Sequence, residues 1–169
     1  LATMPVGTRV LAGNFKIGAE LGFARGDADI AVLDHPLNHK HGRAPQLALW
    51  GLAHDTRDSL GDTPLLLVAS SNDVDFRDLL AHYHRLCEQV GPLPPPRVLN
   101  IDHGRQRFLL FELGTSRRDG PCTTPAIAFL DAPAPSARVG GAFQVAGWAF
   151  KDGVGLRGVD VLVDGRVIA

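Results

Sequence analysis

Apolar positions along this chain recur in two different rhythms, and the change between them falls near residue 114. Before it, residues 8–12 read as a short strand, and residues 29–33 ("DIAVL") and 64–70 ("PLLLVAS") are short and almost wholly apolar, the pattern of strands covered on both faces. Between the first two, Asn14 suits a helix N-cap, residues 15–24 a helix, and Gly26 its end, with Ile17, Leu21 and Ala24 on one stripe. The most regular helical pattern follows the third run. There Phe76, Leu79, Leu80, Tyr83, Leu86, Cys87 and Val90 share one broad stripe, Asp73 or Asp75 can cap the start, and Gly91-Pro92 ends it. Residues 97–101 and 107–113 read as a hairpin turning through Asp102-His103-Gly104-Arg105. With an irregular or helical piece between the second and third runs, this order predicts an α/β fold. It is a small, mainly parallel sheet with flanking helices and an antiparallel edge hairpin.

Residues 114–125 ("GTSRRDGPCTTP") have the small and turn-forming residues of a linker. Beyond them, residues 126–131, 142–150, 157–163 and 166–169 read as short strands, with Asp152-Gly153 and Asp164-Gly165 as turns. Trp148 is the expected packing tryptophan of this second unit. An immunoglobulin-like sandwich needs about seven strands, so the four expected here make a partial all-β module. The division is therefore an α/β domain over 1–113, a linker over 114–125, and a partial immunoglobulin-like β module over 126–169.

Composition narrows the function classes. The apolar fraction of 45% and charged fraction of 21% are those of an ordinary globular chain. The net charge is −1 and the arginines are scattered, so no nucleic-acid footprint is expected. There is no apolar run long enough to cross a bilayer. The chain starts at Leu1 without an initiating methionine, and both ends read as cut from something longer. Cys87 and Cys122 lack any motif spacing; two unpaired thiols are the expected state, with a disulfide as the alternative in an oxidising compartment.

Candidate chemistry concentrates in residues 11–50, which hold two of the three lysines and three of the seven histidines. Asn14, Lys16 and the helix start could surround an anionic group, because helix starts attract phosphate. The simpler reading makes Lys16 and Glu20 a surface pair one turn apart. Asp34, His35, Asn38, His39, Lys40 and His41 form a polar loop whose simplest reading is a solvated surface; an anion or sugar-phosphate contact and a metal site are its alternatives. The histidine spacing matches no strong zinc motif, and Lys40 would repel a cation. Trp50 among Leu47, Leu49 and Leu52 reads first as core, and with Arg43 and Gln46 as a platform for a sugar ring. His82 and His84 are two apart on a helix and point in different directions. Neither a nucleophile elbow nor a glycine-rich phosphate loop follows any strand, so no catalytic residue, cofactor or metal is assigned.

Three segments, 12–23 ("AGNFKIGAELGF"), 44–50 ("APQLALW") and 61–70 ("GDTPLLLVAS"), resemble in their order the extracytoplasmic portion of bacterial lipid-linked sugar transferases. That superfamily, glycosyltransferase family 39 and relatives, includes the protein mannosyltransferases and the aminoarabinose transferase that acts on lipid A. The resemblance covers roughly residues 7–113, and "VAGWAFKDGVGLRGVDVLVDGRVIA" resembles immunoglobulin-like modules of bacterial surface proteins. It implies a domain on the periplasmic face of the inner membrane, attached to a transmembrane domain of the same parent chain. The implied donor is a polyprenyl-phosphate sugar bound among the membrane helices, with the acidic catalytic residue in a loop outside this chain. Asn14, Lys16, Glu20, Asp34, Asn38, Lys40, Arg43 and Trp50 would then line the substrate edge. The alternative function is a non-enzymatic surface module that binds carbohydrate or protein.

Overall fold

All six residues of Leu65–Ser70 are buried, and this strand lies inside a six-stranded sheet. The computed structural model describes Met4 and residues 6–102, 105–134, 137–163 and 166–169. In chain order come β1 (Arg9–Ala12), α1 (Phe15–Arg25), β2 (Ala31–Leu33), α2 (Pro36–Lys40), α3 (Ala44–Leu49) and β3 (Ala53–His54). Then follow β4 (Leu65–Ser70), α4 (Leu79–Val90), β5 (Arg97–Ile101) and β6 (Gln106–Leu113), with short 3-10 turns at Arg57–Leu60 and Phe76–Asp78. The strands lie in the order β3-β2-β1-β4-β6-β5. The first four are parallel, and β6 runs antiparallel to both its neighbours. The α/β class and the antiparallel edge hairpin follow the predicted element order. β3 is an addition: two residues paired with β2 are too few to leave an alternation in the sequence.

Alternation within the buried strands assigns the two faces. Leu11, Leu33, Leu65, Leu67 and Phe111 meet Leu79, Tyr83 and Leu86 of α4. Val10, Val32, Leu66 and Val68 face the other way, in one cluster with Ile17 of α1 and Leu47 of α3. Each fully buried leucine contributes about 1.5–3 kcal/mol of apolar burial, so these two clusters carry most of the stabilisation. α1 reaches the sheet this closely because position 18 is glycine: a Cβ there would stand 2.7 Å from Cγ2 of Val32. Gly26 takes the left-handed conformation that ends α1.

Two sequence expectations about α4 need correction. Phe76 lies in the 3-10 turn and is 44% exposed, whereas His82 and Gln89 join the buried side. Neither Asp73 nor Asp75 caps the helix through its side chain, and Asp78 stands at the N-cap position without a side-chain bond. The Asp73 carboxylate accepts a hydrogen bond from Asn14 instead. In the hairpin, the Arg105 N–H donates to the Asp102 carbonyl, and Asp102 has a left-handed φ of 51°. His103 and Gly104 of the expected turn lie outside the described residues.

The expectation of two free thiols is overturned. Cys87 and Cys122 form a disulfide with Cα atoms 5.7 Å apart, closing a loop of sequence separation 35. The reason is the path of residues 114–123, which return across α4 rather than leaving the domain. The buried Arg57 guanidinium donates to the carbonyls of Gly114, Thr115 and Ser116 at 2.9–3.1 Å. Thr123 donates its hydroxyl to the Leu93 carbonyl, and Ile127 is buried in the α4-side core.

Beyond this strap, β7 (Ile127–Ala132) pairs antiparallel with β8 (Ala146–Phe150), and β9 (Leu162–Val163) with β10 (Arg166–Val167). They are two separate two-stranded sheets. The strands expected over 142–150 and 157–163 are shorter than their apolar patterns, and between them Gly153 and Gly155 turn the chain at positive φ. The expected Asp164-Gly165 turn lies outside the described residues. Trp148 packs on Phe76, Phe129 and Phe150 yet stays 45% exposed. Closing a loop of this length restricts the unfolded chain by about 2–4 kcal/mol. Cys122→Ser is therefore expected to lower the unfolding free energy by that amount and the urea midpoint with it, and reductant should do the same to the parent chain while leaving the variant unchanged. An unmoved midpoint would refute the strap's contribution.

Candidate functional site

The strand order reverses beside β1, because the chain moves outward to β2 and β3 and returns to β4 on the other side. Open α/β sheets form a crevice at such a reversal, outside the carboxyl ends of the strands. Here that place receives Gly13 and Asn14 after β1, Asp34 and His35 after β2, and Ser71 to Asp73 after β4. Gly13 fits close against β4: a Cβ there would meet the Val68 carbonyl oxygen at 3.2 Å.

Asn14 and Asn38 hold these loops together, and each is only 2% exposed. Asn14 Oδ1 accepts from the N–H groups of Lys16 and Ile17 at 3.0 and 3.3 Å, and its Nδ2 donates to Asp73 Oδ2 at 2.6 Å. Asn38 Oδ1 accepts from the Phe15 N–H at 2.9 Å while its Nδ2 donates to the Leu33 carbonyl. The Gly18 N–H donates to the Asn14 carbonyl. The three N–H groups of the first turn of α1, those of Phe15, Lys16 and Ile17, are thus taken, and none of them is left to hold an anion. Gln89 of α4 adds a bond from its Nε2 to the Asp34 carbonyl at 2.8 Å.

Under this network lies a pair of buried imidazoles. His35 and His82 are 2% and 5% exposed and meet edge to face with ring centroids 5.3 Å apart. His35 Nδ1 accepts from the Leu37 N–H at 3.1 Å, which leaves Nε2 to carry the proton of the neutral ring. His35 Nε2 and both nitrogens of His82 have no partner within the protein. Burial is the main cause that lowers both pKa values, taking His82 to about 4. Arg85 lowers both further, and His35 adds to the lowering of His82. Asp73 and Asp34 oppose the shift at His35, while Lys16 reinforces it. Both rings are neutral at neutral pH.

The other residues of the polar loop diverge. His39 Nε2 lies 2.6 Å from Asp34 Oδ1 in an exposed pair, and the His41 ring packs on Phe15. With His35 buried behind them, the three histidines share no common point. Among the described residues no group of three potential metal ligands occurs. Lys16, Glu20 and Lys40 are exposed. Arg43 and Trp50, by contrast, come together with Gln46 in the wall of a cavity of about 880 Å³ between α1 and α3. The core reading of Trp50 is corrected: it is 59% exposed and Leu49 82%, because α3 is one short helix that buries Leu47 alone.

Sequence reasoning missed Arg57, His82 and Gln89 as buried polar groups. The signal for His82 and Gln89 was present, since both sit within a turn of the apolar stripe of α4. Nothing local marks Arg57, three of whose four carbonyl partners lie more than fifty residues away. Comparison of the chain with protein-family models, curated proteins and solved structures finds no match.

The buried histidine pair makes stability depend on pH. A folded-state pKa below the unfolded value of 6.5 means that the unfolded chain binds protons first as pH falls. The contribution is whole above pH 6.5 and is lost towards about 4. For His82 the loss between about pH 7 and pH 5 is about 2 kcal/mol. Urea titrations at both pH values should show His82→Leu losing that much less stability than the parent chain; equal losses would contradict the buried neutral pair.

Proposed function

We propose that this chain is the extracytoplasmic region of a bacterial membrane glycosyltransferase that takes sugar from a polyprenyl-phosphate donor. In this reading it shapes the mouth of the substrate path, and the chemistry belongs to a transmembrane part of the same parent. The observation that carries the reading is the Cys87–Cys122 disulfide, because such bonds persist in oxidising compartments such as the periplasm and are rare in the cytosol. The three segments that carry the resemblance form the end of β1 with most of α1, α3, and β4, and these elements share one packed cluster. The β pairs after residue 126 would be the opening strands of an immunoglobulin-like module, whose half-exposed Phe129, Trp148 and Phe150 await further covering. No helix among the described residues is long and apolar enough to cross a membrane, so the reading assigns the spanning segments to another region of the parent.

A second reading, a surface module that binds carbohydrate without catalysis, is favoured by one observation. Phe129 and Trp148 present stacked, half-exposed rings 6.3 Å apart, a surface on which a sugar ring can lie.

The two readings separate in one experiment on the full-length gene product that contains this chain. The transferase reading expects sugar transfer from a polyprenyl-phosphate donor by the purified membrane protein, none by the 169-residue chain alone, and thiols that resist alkylation in cells until reduced. Turnover by the isolated chain, or freely alkylated cysteines, would contradict it. Glycan binding by the isolated chain that Trp148→Ala abolishes, with no membrane-embedded parent, would establish the second reading instead.

A further inference from the structure

The cavity between α1 and α3 is unlike the hydrogen-bonded edge of the sheet. Ile30 and Val32 make its floor, and Phe15, Phe23, Trp50 and Leu52 its walls. Phe23 is 93% exposed and Trp50 59%, so large apolar surfaces stand in water at its mouth. Its volume of about 880 Å³ lies within the range of about 300–1,000 Å³ found for small-molecule sites. Arg43 is the one cation among the described lining residues, and its side chain makes a single long bond, 3.4 Å to Gln46 Oε1. The one acid in the lining, Asp27, already faces Arg25 at 3.8 Å and accepts from the Asp29 N–H.

We propose that this cavity binds a long-chain carboxylate, with its hydrocarbon tail along the α1–α3 floor and its head on Arg43. The apolar lining fits a tail and disfavours a sugar, whose hydroxyls would outnumber the polar groups of Arg43, Gln46 and Asp27 and stay unpaired. A carboxylate matches the planar fork of one guanidinium. A phosphate monoester carries a charge of about −1.5 to −2, more than one arginine offsets beside the Asp27 carboxylate. This site is separate from the Asn14–Asp73 edge and does not depend on the transferase reading.

The chain contains two tryptophans, and Trp148→Phe leaves Trp50 as the only reporter. Hexadecanoate titrated into this variant below its micelle concentration is expected to give a saturable blue shift of Trp50 emission. Hexadecanol, which lacks the charge, should bind about tenfold more weakly, and Arg43→Gln should erase that difference. Ala19→Trp places an indole in the cavity and should abolish retention of hexadecanoate in equilibrium dialysis. Four results would overturn the proposal: no saturable binding, equal affinity for the acid and the alcohol, tighter binding of hexadecyl phosphate, or a response confined to phosphatidylglycerol vesicles. The last would mark a membrane-facing surface in place of a ligand cavity.

Discussion

The Asn14 side chain is the constraint on which the functional end of this fold depends. One amide caps α1 through its oxygen and reaches the loop after β4 through its nitrogen. Asn38 continues the connection to the loop after β2. Each such bond contributes about 1 kcal/mol net, but a buried polar group left without its partner costs about 1–3 kcal/mol. The exposed pair available to Lys16 and Glu20 amounts to a few tenths of a kcal/mol at most. The asparagines therefore outweigh the charged residues around them, and they fix the loops where the strand order reverses. The buried His35–His82 pair extends this locked region into α4.

A second consequence concerns where ligand chemistry can sit. Polar residues at a carboxyl edge suggest binding when read from a sequence, but here the side chains of Asn14, Asn38 and Asp73 bond to one another and to backbone. An exposed cation beside an apolar cavity, Arg43, lies on a different surface. The return of residues 114–123 across α4 supports that arrangement from behind. Arg57 and the disulfide hold the strap to the core, and the strap carries Ile127 into it. What looks like a hinge between two modules begins as part of the first.

The sequence disclosed those features whose causes are local. Runs such as 64–70 declare buried strands because nearly every residue is apolar, and Asn14 and Gly26 bracket α1 because capping depends on residue type at two positions. The hairpin was legible from its turn. Features made by distant partners were not. Arg57 finds its three strap carbonyls more than fifty residues away, Cys122 meets Cys87 only because the strap doubles back, and β3 has two residues. The candidate site was legible in location and not in its hydrogen bonding. Asn14, Asp34 and Asn38 do converge, yet only the fold shows that the hydrogen bonds of the two asparagines face inward, and that Arg43 and Trp50 belong to a different surface.

The account rests on the claim that the N–H groups opening α1 belong to Asn14 and Asn38 and are closed to ligands. Amide exchange and chemical shifts at Phe15, Lys16 and Ile17, followed by NMR during a titration with inorganic phosphate, test this directly. Slow exchange and unmoved shifts are the predicted result. Rapid exchange at these three amides, or saturable shifts on adding phosphate, would show an open anion site and contradict it.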